Sequence, residues 1–170
     1  MAPERELARL YDDHAPALFA FLLNLTRSEA DTRDLLQDLF VKLARQPELL
    51  RDIREERAFF LRLAHNAAID LMRRRTPREQ RHESFSAGTF SAFAPAADPD
   101  EQAFRNALAG ALSELPPDQR AVVHLKLWAG LTFEQIAETL EIPLNTAASR
   151  YRYGLDKMRV RLRPIYEELK

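Results

Sequence analysis

The chain has 170 residues, 46% of them hydrophobic and 30% charged, a composition that suits one ordinary soluble domain or two small ones. No run of about 18 uncharged apolar residues occurs, and the N-terminus MAPERELARL is charged from its fourth residue, so a cytoplasmic protein without a membrane span is expected. The lack of cysteine excludes disulfides, iron–sulfur clusters and thiolate zinc sites, and His14, His65, His82 and His124 show no ligand spacing, so neither a metal nor a cofactor is implied.

The formal charge of −1 is unlike the basic balance usual in a nucleic-acid binder. Its distribution says more than its sum. Arg73, Arg74, Arg75, Arg78 and Arg81 form one basic segment, and Arg150, Arg152, Lys157, Arg159, Arg161 and Arg163 form a second. Glu29, Asp31, Asp34 and Asp38 make an acidic one, so more than one partner surface is expected.

Apolar residues recur at spacings of three and four, which predicts an all-α protein. Leu7, Leu10, Tyr11, Leu18, Phe21, Leu22 and Leu25 outline either one helix kinked at Pro16 or two short ones. Ser28 followed by Asp31 resembles a capping box opening a helix with Leu35, Leu36, Leu39, Phe40 and Leu43 inward, ended by Pro47. A third helix is predicted from about Glu55 to Arg75, with Phe59, Phe60, Leu63, Ala64, Ala67 and Leu71 inward and Pro77 as its stop.

The following segment HESFSAGTFSAFAPAADPD has no periodicity and reads as a linker between two helical domains. Its Phe85, Phe90 and Phe93 suit packing either on a partner or back on their own domain. The expected organisation is therefore a domain over residues 1–80, a flexible linker over 81–100 and a second domain over 101–170. Two helices, from about Glu101 to Leu115 and from about Asp118 to Ala129, are expected to open that second domain, with Phe104, Leu108 and Leu112 as the apolar positions of the first. Trp128 and His124 are expected in its core or on its surface, without a functional role.

From Leu131 to about Arg163 the pattern is that of a helix-turn-helix. Thr132 and Gln135 form a capping box, Ile136, Ala137 and Leu140 a buried stripe, and Glu141-Ile-Pro-Leu a short turn plugged by Ile142. Asn145 is read as the N-cap of the second helix, whose inward face is predicted to be Ala148, Tyr151, Leu155, Met158 and Leu162. Thr146, Ser149, Arg150 and Tyr153 then lie opposite, near the N-terminus, where such helices meet base edges in the major groove. Arg150 suits a bidentate guanine contact worth about 1–3 kcal/mol, while Arg152, Lys157 and Arg159 suit phosphates. A plain helical hairpin with a solvated basic face would carry the same residues.

The segment LSELPPDQRAVVHLKLWAGLTFEQIAETLEIPLNTAASRYRYGLDKMRVRL resembles region 4 of the sigma-70 superfamily, in its small extracytoplasmic-function group. SEADTRDLLQDLFVKLAR resembles the region 2 helix that docks on the polymerase clamp, and FFLRLAHNAAIDLMRRR the segment that reads and melts the promoter −10 element. The resemblance implies a non-catalytic subunit that joins core RNA polymerase and binds promoter DNA, with no small-molecule substrate. It assigns Asp34, Gln37, Asp38 and Phe40 to the clamp. It assigns Arg62, Asn66, Asp70, Arg73 and Arg74 to the −10 element, and Thr146, Ser149, Arg150, Arg152, Tyr153 and Lys157 to −35 duplex. An acidic helix suits a basic partner, and an amide beside cations suits a flipped base and its backbone; Asp70 would equally suit an ion pair with Arg73 or Arg74.

The chain departs from the family at Ala148, where a basic residue is common, at the aromatic pair Tyr151 and Tyr153, and at His65. With Lys170 as the last residue, control is expected from outside the chain, through the anti-sigma factor that the family often clamps between its domains. The competing expectation is a stand-alone helix-turn-helix regulator whose first 80 residues oligomerise or sense a signal.

Overall fold

The computed structural model describes residues 3–75 and 98–168, and among these residues the structure is helical with no strand. The helices are α1 (Pro3–Thr26), α2 (Glu29–Arg45), α3 (Glu56–Arg74), α4 (Pro99–Glu114), α5 (Pro117–Leu127), α6 (Phe133–Leu140) and α7 (Leu144–Glu168), with a 3-10 turn over Pro47–Leu50. The linker phenylalanines Phe85, Phe90 and Phe93 lie outside the described residues. Pro16 does not divide the first helix: α1 runs through it, with the proline on the exposed side.

Local chemistry sets the boundaries. Ser28 accepts a hydrogen bond from the Asp31 amide at the start of α2, and Thr132 and Gln135 satisfy each other's backbone at the start of α6. Asp98 caps α4 in the same way. Glu141 takes the left-handed conformation, φ 57°, that turns the chain from α6 into α7, and the Ile142 amide closes that turn on the Ala137 carbonyl.

The long helix α1 organises the molecule. Leu10, Leu18, Phe21, Leu22 and Leu25 are buried along it, and α2 and α3 pack on one side. Tyr11, Phe40 and Phe60 form an aromatic line with ring centres 5.0 and 5.7 Å apart, and His14 stacks on Phe60 at 4.8 Å. Each fully buried Phe or Leu of this kind contributes about 1.5–3 kcal/mol through removal from water.

The second half closes around α7. Leu112, Leu115, Val123 and Met158 share a small core there, and Gly154 is buried where α5 crosses. A Cβ on Gly154 would stand 2.8 Å from a Val123 methyl, so the crossing depends on the missing side chain. The inward stripe of α7 is accordingly Ala147, Tyr151, Gly154 and Met158, displaced from the predicted one at Ala148 and Leu155. Small residues mark the closest approach of helices and carry little hydropathy signal.

The two halves do not sit apart. Ala121, Val122, Leu125, Leu131, Ile136 and Ala147 belong to the same apolar core as the residues of α1, α2 and α3. This covers the last turn of α1 on every side, so that Leu23 and Asn24 are buried as well. Arg120 of α5 reaches into that turn and donates to the carbonyls of Asn24 (3.2 Å) and Leu25 (2.8 Å), while also bonding Leu112 (3.0 Å) and Leu115 (2.9 Å). A helix ends with unpaired carbonyls, and here a cation from the other half satisfies them. Arg27, with φ 61°, ends α1 and donates to the Ala109 carbonyl of α4 at 3.0 Å.

Candidate nucleic-acid interface

Between α2 and α3 lies an open groove of ≈ 410 Å³ with a floor of Leu35, Leu39, Leu63, Ala67 and Leu71. Its polar rim is Asp38, Lys42, Asn66, Asp70 and Arg74. Leu63, Ala67 and Leu71, predicted to face inward, are therefore only half-buried, and the fully buried residues of α3 are Phe60, Leu61, Ala64 and Ala68. The α3 stripe is rotated because α6 packs against the opposite side of the helix. The groove thus brings together Asp38, expected to meet a protein partner, and Asn66, Asp70 and Arg74, expected to meet DNA. Asp34 and Gln37 are exposed on the neighbouring turn of α2, and Arg73 is exposed beside Pro117 and Asp118.

Two predicted contact residues stand elsewhere. Phe40 is 8% exposed, edge-on to Tyr11 and stacked on Phe60, so it shapes α2 from below and does not face a partner. Arg62 points away from the groove, donating to the carbonyls of Thr139 (3.0 Å) and Glu138 (2.9 Å) at the end of α6 and pairing with Glu141 at 3.4 Å. In this arrangement the second half of the molecule occupies Arg62. Arg57 makes a similar bond to the Ala129 carbonyl.

On α7, Arg152, Tyr153 and Lys157 are exposed, with the Arg152 guanidinium 5.3 Å from the Tyr153 ring centre. Thr146, Ser149 and Arg150 are half-buried, and Arg150 turns toward Asp118 of α5 at 4.0 Å. The helix begins at Leu144, so Asn145 lies within it and is not its cap, as the turn chemistry had predicted. The Ser149 hydroxyl donates to the Asn145 carbonyl at 2.8 Å, as short polar side chains within helices do.

Other features are not legible in the hydropathy pattern. Leu155 and Leu162, predicted to be buried, line an open apolar groove of ≈ 660 Å³ with Phe104, Leu108 and Leu127. His124 is buried between the halves, its Nδ1 3.0 Å from the Asn24 amide nitrogen, and burial pushes its pKa down to about 4. The ring is therefore neutral and accepts from Asn24. Burial likewise pushes Arg120 down to about 10, with the nearby charge of Arg27 acting in the same direction, which leaves Arg120 charged at neutral pH.

Residues 10–78 match the family model for sigma-70 region 2, and residues 105–158 match that for sigma-70 region 4. The chain is 32% identical over 167 residues to the extracytoplasmic-function RNA polymerase sigma factor SigL of Mycobacterium tuberculosis, covering 96% of this chain and 93% of that one. The chain belongs to this sigma factor family.

SigX of Bacillus subtilis is 26% identical, with coverage of 98% and 88%. The sigma factor RpoE of Bartonella quintana, solved in complex with the anti-sigma factor NepR, shares the fold with a TM-score of 0.65 at 21% identity, over 94% of this chain and 96% of that one. The region 2 match spans the α2–α3 groove, and the region 4 match spans most of α4, all of α5 and α6, and α7 as far as Met158. As a sigma factor the chain works with RNA polymerase in transcription initiation. A stand-alone regulator is not favoured, because it leaves the region 2 match without a purpose. No described helix is long and apolar enough to cross a membrane.

Proposed function

We propose that this sigma factor grips promoters at two points, with the α2–α3 groove at the −10 element and the outer face of α7 at the −35 element. The groove carries the reading, because it places an amide, a carboxylate and a cation around an apolar floor in a space large enough for an unstacked base. Asn66 and Asp70 present donors and acceptors to the base edge, and Arg73 and Arg74 neutralise its backbone. Thr146, Ser149, Arg150, Arg152, Tyr153 and Lys157 hold −35 duplex, the cations on phosphates and the N-terminal residues nearer the bases. Asp34, Gln37 and Asp38 form an acidic ledge for a basic helix of core polymerase.

Both grips operate together only when the halves separate, since Arg62 must leave the carbonyls of α6 before it meets DNA. Core polymerase supplies that separation, and an anti-sigma factor opposes it, in keeping with the complex formed by the Bartonella relative. The chain performs no chemistry of its own, and its place of work is the cytoplasm, where polymerase and chromosome are.

Asp38→Arg and Asn66→Ala separate the two roles of the groove. Asp38→Arg should abolish capture of core polymerase in a pulldown. Asn66→Ala should assemble normally but form open complexes, read by permanganate reactivity of unpaired thymines, about tenfold less well, as expected for one lost hydrogen bond to the base. Equal behaviour of the two variants in both assays would overturn the assignment.

A further inference from the structure

We infer that Asn145 reads a base, and specifically an adenine, within the −35 element. The inference rests on the reading of α7 as the −35 recognition helix and adds to it a residue whose side chain was expected only to cap that helix. The structure removes that explanation, because α7 starts at Leu144, two residues before the start that a cap at Asn145 would set, and Asn145 is its second residue. Its side chain is exposed and its carboxamide has no hydrogen-bond partner among the described residues, while its carbonyl accepts from Ser149.

Position on the helix makes this free amide a reader. The buried stripe runs through Ala147, Tyr151, Gly154 and Met158. At 100° per residue Asn145 lies about 200° from Ala147, on the face turned farthest from the protein, in line with Ser149 and Arg152. The N-terminal turn of a recognition helix is the part that enters the groove.

The neighbours do not serve as well. Ser149 spends its proton on the backbone, and Arg150 lies at the flank near Asp118. Arg152, exposed about two turns further along, suits the adjoining phosphate. A carboxamide offers one donor and one acceptor side by side, which matches N7 and N6 of adenine in the major groove and no other base in the same register.

The test is transcription in vitro by the holoenzyme on templates randomised through the −35 element with the −10 element held constant, sequencing the templates that yield transcript. The wild-type chain should favour adenine at one position, on either strand. Asn145→Ala should lose that preference by on the order of tenfold while preferences at other positions stand. Asn145→Asp, which only accepts, should move the preference from adenine toward cytosine. An unchanged profile for Asn145→Ala overturns the inference, and so does a loss of the same factor on every sequence, the mark of a phosphate contact. A wild-type holoenzyme without any −35 preference would instead overturn the reading of α7 itself, and this inference with it.

Discussion

Arg120 shows how much one side chain does in this molecule. It is 6% exposed, carries a charge, and has four carbonyls from α1, α4 and the following turn within 3.2 Å. No carboxylate is needed, because the carbonyl ends of a helix carry the negative partial charge. Replacing it with methionine keeps the apolar stem but leaves buried carbonyls without donors, at a cost of about 2–4 kcal/mol. Arg120→Met should lower the urea midpoint of the full chain accordingly, with little change in slope; a midpoint within experimental error of wild type would show that the carbonyls find other donors.

Residue identity was readable wherever the determining contacts are local. Ser28 and the Thr132–Gln135 box act within one turn of chain, and both stand where the sequence placed them. The burial of Phe40, the engagement of Arg62 and the place of Asn145 within the helix were not legible, because what decides them lies elsewhere: the Phe60 ring across the core for the first, the carbonyls of α6 for the second, and a helix start two residues earlier for the third.

At the scale of elements, the telling contact is between the end of α1 and α5. His124 fills it, flanked by Asn24, by the Phe21 ring at 5.2 Å and by the Trp128 ring at 5.7 Å. The ring's folded-state pKa of about 4 lies below its ordinary 6.5, so the opened or unfolded chain takes up the proton first. The stability it contributes is complete above pH 6.5 and is lost as pH falls toward 4, up to about 3 kcal/mol.

Between pH 7.5 and 5 the wild-type chain should therefore lose stability to urea, and His124→Gln should lose much less over the same window. Parallel pH profiles for the two proteins would contradict this. The lower part of the acid range belongs to other groups, since the hydrogen bond from Arg9 holds the Glu6 and Glu56 carboxylates below their usual range. Periodicity revealed the helices but not the rotation of α3 and α7, because their inward faces include the small residues Ala68, Ala147 and Gly154 where neighbours cross.

For the whole molecule, the all-α class and the helix-turn-helix were legible, and the closed packing of the halves was not. A linker between two helical patterns reads as separation, whereas six residues of the second half complete the core of the first. That packing also gives the near-neutral charge a physical sense. A net charge of −1, with Arg62 engaged internally, fits the proposal that the free chain binds duplex DNA weakly; an affinity measurement at physiological salt checks it, and sub-micromolar non-specific binding would contradict it. On the proposed two-point reading, linking the contacts on polymerase makes the second intramolecular, so two modest contacts would act as one specific grip.

Transcription by core RNA polymerase on a genomic promoter library, with and without the chain, tests this most directly. The chain should produce discrete start sites that share a −10 and a −35 sequence and are absent with core enzyme alone. Identical start sites with and without it, or no association with core polymerase, would contradict the account.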